Sequence, residues 1–220
     1  MKSFFFFTVL FLFSVLNSFS QITEGHITYS IKINVTNPDM AMVAGMLDGS
    51  KMELYFSKNQ TRSELNMGII MNITTISDAD KDSLVMLMGG MMGQNAVKTS
   101  ITEMTNKISS DSTSKLQLLE ETKQILDYTC KKALLIDESG NRSEFWYTND
   151  IQVSKLGQTY LNADIPGFPM EFELNNNGVN MKLNATEFVK DSLASKNLFL
   201  LAIPSGYSIL QKDDLLKMGY

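Results

Sequence analysis

Apolar and polar residues alternate along much of this 220-residue chain. From Glu24 to Val35, Ile27, Tyr29, Ile31, Ile33 and Val35 take one face and His26, Thr28, Ser30, Lys32 and Asn34 the other. A period of two over this length predicts a half-buried antiparallel strand. Lys51 to Ser57 repeats the pattern with Met52, Leu54 and Phe56, and Gln60 to Met67 is its predicted hairpin partner. Gly68 to Ile76 and Ser83 to Met88 form a second predicted hairpin across the polar turn Ser77 to Asp82. Ala96 to Met104 is a further strand candidate.

The second half continues in the same way. Thr129 to Asp137 and Arg142 to Thr148 flank Glu138-Ser139-Gly140-Asn141, a turn-forming stretch. Met170 to Leu174 and Val179 to Glu187 flank Asn175-Asn176-Asn177-Gly178, and Asn-Gly is a strong hairpin cue. A short last strand is predicted from Tyr207 to Gln211. Helical signal is thin. Asn37-Pro38 reads as a cap and first position, with Met40, Val43, Ala44 and Leu47 on one helical face. Gly89 to Asn95 reads as a loop or single turn, and Lys212 to Met218 as a short terminal helix. About ten strands with short turns predict a mainly β chain with minor α: an open, strongly curved antiparallel sheet or a barrel.

The first twenty residues break the alternation. Lys2 precedes an almost unbroken apolar run from Phe4 to Leu16, and Ser18-Phe19-Ser20 places small residues at a cleavage site. That is the layout of a secretory signal peptide. The run is shorter than the roughly 20 residues a membrane-spanning helix needs. Residues 1–20 are therefore expected to be a signal peptide and 21–220 a single β-rich domain. The product is expected to be exported, periplasmic or extracellular, and soluble after cleavage near Ser20. No cysteine stands near the cleavage point to carry a lipid anchor.

Composition narrows the function classes. Loss of Lys2 leaves 18 basic and 24 acidic residues, or −6, with no basic cluster. Nucleic acid is not an expected partner, nor is an anionic membrane surface. Cys130 is the single cysteine, so no disulfide forms within the chain. Of fifteen methionines, eleven lie between Met40 and Met104. Methionine fills irregular cores and lines adaptable binding surfaces alike.

Candidate chemistry is sparse. His26 is the only histidine, lies on the polar face of its strand, and reads as a surface residue. Cys130 has Lys131 and Lys132 beside it, but a free cysteine is usually a small buried hydrophobe. Asp78-Ala79-Asp80-Lys81-Asp82 opens like a calcium loop, yet Ser83 and Gly89 stand where an EF-hand needs Gly and Glu. It reads as an acidic hairpin turn. Gly89-Gly90-Met91-Met92-Gly93 has neither the phosphate-loop ending nor dinucleotide spacing. Phe145 and Tyr147 face one way and Trp146 the other, as core with room for one ligand-contacting ring. Glu171 and Glu173 share a face and read as solvated strand acids; with Glu187 they are the only acids near one another on that hairpin. No metal site, cofactor or catalytic residue is expected.

Several stretches together carry a family likeness. They are Gly25-His26-Ile27-Thr28-Tyr29, the run from Thr122 to Ala133 (TKQILDYTCKKA), Phe145 to Ile151, Gly167 to Glu171, and Ile203 to Tyr207. In this order they resemble the exported bacterial family known as domain of unknown function 4412. That family is similar in fold to the lipoprotein carriers LolA and LolB. The resemblance implies a half-open antiparallel barrel with a short helical lid and an apolar cavity. It carries no catalytic residues, and a shared fold does not transfer the carriers' partners.

Two functional expectations follow. The first is a non-enzymatic binder or carrier of a hydrophobic small molecule or acyl chain in the cell envelope. Its candidate ligand-binding residues are Met40, Met46, Phe56, Met71, Met86, Met88, Met91 and Met92. The second is a secreted structural or interaction module with a fully packed core, the methionines being filler. An envelope enzyme is disfavoured for want of converging acid, base or nucleophile.

Overall fold

The computed structural model describes residues 21–35, 45–91, 93–110, 114–138, 140–154, 165–176, 179–191, 193 and 197–210. The strands are β1 (Glu24–Val35), β2 (Lys51–Ser57), β3 (Gln60–Met67), β4 (Met71–Asp78), β5 (Ser83–Gly90) and β6 (Asn95–Thr99). Helix α1 (Ile101–Ser110) follows. Then come β7 (Lys115–Ile125), β8 (Tyr128–Ile136), β9 (Arg142–Thr148), β10 (Phe168–Asn176), β11 (Val179–Val189) and β12 (Ser208–Ile209).

All twelve belong to one sheet in the order β12-β6-β5-β4-β3-β2-β1-β11-β10-β9-β8-β7. Two meanders, β1 to β6 and β7 to β11, are joined where β1 pairs antiparallel with β11. β12 pairs with β6 in parallel. The two edge strands do not meet, so the sheet is not closed into a barrel.

Chain length explains the curl. From β6 to β7 there are ten strand-to-strand steps, or about 48 Å across a flat sheet. The chain covers that gap between Thr99 and Lys115. Helix α1 rises about 15 Å, and the other connecting residues reach roughly 17 Å if fully extended. About 32 Å cannot bridge 48 Å, so the sheet must bend until its edges approach.

Bending gives the sheet an inner face, and the alternating residues of β1 fill it. Ile27, Tyr29 and Ile31 are buried with Leu54 and Phe56 of β2, Phe145 and Tyr147 of β9, Phe168 and Phe172 of β10, and Leu183 of β11. Tyr29 meets Phe172 edge-on at 5.6 Å, and Phe145 stacks on Phe172 at 6.0 Å. The Tyr29 hydroxyl donates to the Pro169 carbonyl at 2.8 Å, so this buried polar atom is satisfied.

Three sequence expectations change. The strand predicted from Ala96 to Met104 stops at Thr99, and Ile101 begins α1. Ser100-Ile101-Thr102-Glu103 is a capping box, and the Ser100 hydroxyl accepts from the Glu103 amide at 3.0 Å. Asp82 also accepts from the Thr102 amide at 2.9 Å. Strand β7 has no signature in the alternation, because its pairing with β8 slips between Leu118 and Thr122. The slip leaves two extra residues on β7, and Leu116 and Ile125, an odd number of positions apart, both pack against the core, so no single period of two runs the length of the strand. Gly89 and Gly90, expected in a loop, end β5. The helix expected from Pro38 to Leu47 lies outside the described residues except for Gly45 and Met46, which are helical, and Leu47 in the turn that follows. The helix expected over Lys212 to Met218 lies outside them too.

Phe172→Ala removes the ring held between Tyr29 and Phe145. It is expected to lower stability by roughly 3–5 kcal/mol, as large core truncations do. Urea unfolding followed by tryptophan fluorescence measures this, and a loss under about 1 kcal/mol would contradict the packing described.

Candidate functional site

Residues opposite one another in a β ladder share a face. Met52 pairs with Leu65, Leu65 with Ile73, and Ile73 with Met88. One row nearer the sheet end, Met67 pairs with Met71, and Met71 with Gly90. One row further in, Leu54, Ser63, Thr75, Met86 and Val97 follow one another across β2 to β6. The next row holds Phe56, Thr61, Ser77, Leu84 and Thr99. Leu54 pairs with Ile27 and Met52 with Tyr29, so all four rows lie on the inner face.

The register thus gathers Met52, Met67, Met71, Met86 and Met88 on one surface. Met88 and Val97 are buried, with Ile73, Met86, Met104 of α1 and Leu210 packed against them and still partly exposed. This cluster is separate from the aromatic core. Buried Thr61, Ser63, Thr75 and Ser77 stand on β3 and β4 in the two inner rows. The Thr61 and Ser77 hydroxyls lie 2.6 Å apart.

Of the residues singled out in the sequence, Met86 and Met88 come together, and Met71 lies one row away from Met88 on the same face. Phe56 shares that face but is committed to the aromatic core, 5.6 Å from Phe168. Met46 and Met91 are exposed at the end of the sheet. Met40 and Met92 lie outside the described residues.

A second cluster was missed. Glu171, expected to be a solvated acid, is largely buried and bonded to Lys123 at 2.8 Å and Lys182 at 2.9 Å. Burial alone would raise its pKa, but the two ammonium groups outweigh that and hold it below the usual carboxylate value. Lys123 and Lys132 lie 4.4 and 5.4 Å from the Trp146 ring centroid. The Trp146 indole donates to Glu144 at 2.7 Å. With 7% of its surface exposed, Trp146 is no free ligand platform. Five strands, β7 to β11, contribute to this network. The alternation of Lys and Glu with apolar residues on β10 and β11 was the available signal, and the strand order needed to use it was not.

Cys130 is fully buried, and burial pushes its thiol up to about 11 despite nearby Lys123. His26 is half-buried rather than superficial: its ring stacks on Tyr55 at 5.3 Å, and its buried Nδ1 has no hydrogen-bond partner. The Tyr55 hydroxyl donates to Glu53 at 2.7 Å, and burial with this bond raises Tyr55 to about 12. The Asp78–Asp82 stretch is a 3-10 turn whose Lys81 amide bonds the Asp78 carboxylate. Beside the Ile22–Ile151 bridge lies a cleft of ≈ 160 Å³ with Ile151, Val153, Ile165 and Phe168 in its wall and Gln21, Asn149 and Gln152 at its rim. Among the described residues, no three His, Cys, Asp or Glu side chains gather as a metal site. No described helix is long and apolar enough to cross a membrane.

The profile of the family described as N-glycanase peptide, N-terminal domain, matches residues 50–202. The chain belongs to that family. The match runs from the start of β2 to beyond β11 and so takes in the methionine rows and the lysine–glutamate network. The solved structure of PNGF-II overlays with a TM-score of 0.51 at 19% identity, over 89% of this chain and 32% of that one. The chain therefore spans about a third of PNGF-II's length, and at this identity the likeness is one of fold. An uncharacterized conserved protein from Thermus thermophilus overlays at 0.49, with 14% identity over 86% of this chain and 90% of that one. A LolA superfamily protein from Nitrosomonas europaea overlays at 0.24, with 10% identity over 80% and 90%. A search of curated protein sequences gives no match.

Two tests follow. Cys130 is expected to resist thiol reagents at pH 8 in the folded chain and to react at once in denaturant. Rapid native labelling would contradict its burial. Glu171 has a depressed folded pKa, so its ion pairs stabilise the fold above the ordinary value of 4.5 and are lost as pH falls through and below it. The melting temperature should fall from pH 6 to pH 3, and Glu171→Gln should flatten that fall. An unchanged slope would remove Glu171 from the account.

Proposed function

We propose that this chain is a non-enzymatic, exported binding module that takes a hydrophobic, acyl-chain-like ligand between α1 and the methionine rows of β3 to β6. The observation that carries the reading is the composition of the second apolar cluster. Only Met88 and Val97 in it are buried, while Ile73, Met86, Met104 and Leu210 keep exposed surface. A solid core would finish burying such side chains; a half-covered one leaves room for apolar atoms of another molecule. Methionine adapts to chains of varied shape.

Each buried methylene contributes about 0.8 kcal/mol, so ten methylenes give roughly 8 kcal/mol before the entropy of binding. Buried hydroxyls of Ser63 and Thr75 in the next row inward supply polar partners for the end of an amphiphile. The apolar run before Gln21 supports export, and the likeness of the Thr122–Ala133 run to domain of unknown function 4412 supports a carrier-like role.

Family membership favours a second reading. As an N-glycanase N-terminal domain in kind, the chain would serve a glycan-cleaving partner as an accessory module. It predicts no acyl-chain affinity.

A fluorescent sixteen-carbon fatty acid should bind the purified chain with micromolar or tighter affinity. Met88→Asp, which places a carboxylate in the cluster, should weaken it at least tenfold while the far-ultraviolet spectrum holds. No binding by the folded wild-type chain would sink the first reading and favour the second.

A further inference from the structure

One end of the sheet is apolar where it meets solvent. The chain turns there from β3 to β4 through Gly68-Ile69-Ile70, leaves β5 at Met91, and enters β2 after Met46-Leu47. Met46 is 54% exposed, Ile69 73% and Met91 76%. These turns are neighbours. The Met91 amide bonds the Ile70 carbonyl at 3.2 Å, and a Cβ on Gly68 would lie 3.5 Å from the Met46 carbonyl. Gly90 has φ +116, and any side chain there would collide with the Ile70 backbone. The backbone is therefore held tightly while the apolar side chains project outward.

The end is also uncharged. Residues 65–77 and 83–97 contain no Asp, Glu, Lys, Arg or His, although a fifth of the chain is charged. The nearest ionisable side chains on the entry to β2 are Asp48 and Lys51, and the Lys51 ammonium is already paired with Glu53 at 2.7 Å. An apolar, uncharged end on an acidic chain fits an apolar phase behind uncharged headgroups and does not fit an anionic or basic surface. It is also continuous with the inner face: Met71 pairs with Gly90, and Ile73 with Met88 one row in. An unbroken apolar strip runs from the exposed turns to the second cluster.

We propose that this end docks on a lipid surface with neutral headgroups, Met46, Ile69 and Met91 entering its acyl region so that a ligand passes directly between bilayer and inner face. The inference rests on the proposed acyl-ligand reading but is tested apart from it. Turn-borne apolar side chains that enter the headgroup–acyl boundary bind reversibly, with strength set by buried apolar area. A molecule that must leave again needs such a contact.

The test is flotation of the chain from Gln21 onward with phosphatidylcholine vesicles, beside fatty-acid binding in vesicle-free solution. The wild-type chain should float equally in 0.1 M and 1 M sodium chloride. The double variant Ile69→Asp/Met91→Asp should lose vesicle binding at least tenfold and keep fatty-acid affinity within about twofold. Met46→Asp alone, outside both turns, should weaken flotation if the double variant does not fold. A wild-type chain that binds the fatty acid but never floats overturns the docking alone. Flotation lost in 1 M salt, flotation unchanged in both variants, or self-association through this end with no vesicle binding also overturns it.

Discussion

Pairing of β1 with β11 holds the molecule together. Each meander on its own is a run of local hairpins with two open edges. The pairing runs along nearly all of β1, from His26–Val189 to Val35–Val179, and makes one sheet of two. Because it joins residues more than 140 positions apart, its loop entropy is not offset until both meanders have formed. The aromatic core sits across this seam, drawing on β1, β2 and β8 to β11. Hydrophobic burial and backbone pairing therefore stabilise the same junction.

The curl follows from that junction and a short crossover, and it sorts the chain's apolar residues into two kinds of surface. Near the seam, rings from facing strands meet and exclude water. Toward β5 and β6 no facing rings close the surface: Met104 of α1 and Leu210 pack on Met88 and Val97, and burial is incomplete. The same inner face is thus solid on one side and adaptable on the other. On the outer face, Glu171 and Trp146 show how five strands are cross-tied by charge instead: each lysine there serves two or three partners, carboxylate or ring. Such a network ties neighbouring strands to a common register more than it adds net stability.

Much of the fold was legible in the sequence because most strands keep a clean period of two and most turns use Asn, Gly or charged residues. β1, β2, β3 and the β8–β9 and β10–β11 hairpins could be read that way. β7 could not, since its bulge breaks the period. α1 was hidden because Val97, Thr99 and Ile101, spaced by two, carry the strand period past its end until the Ser100–Glu103 cap is noticed. The methionine surface was half legible. Enrichment between Met40 and Met104 pointed to the region, but only the register shows that Met71, Met86 and Met88 share a face and that Phe56 belongs to the aromatic core. The surroundings of Trp146 were illegible, because its lysines come from strands that pair only through the full order.

The slip in β7 has a further meaning. β7 is a sheet edge eleven residues long, with Leu118 bare to solvent, and a strand of that kind invites another chain to add itself. The irregularity falls between Leu118 and Thr122, and Glu120 and Glu121 occupy it. An incoming strand would meet an interrupted ladder and two like charges halfway along. The feature that hid this strand from its own periodicity is thus also a guard against fibrous self-assembly.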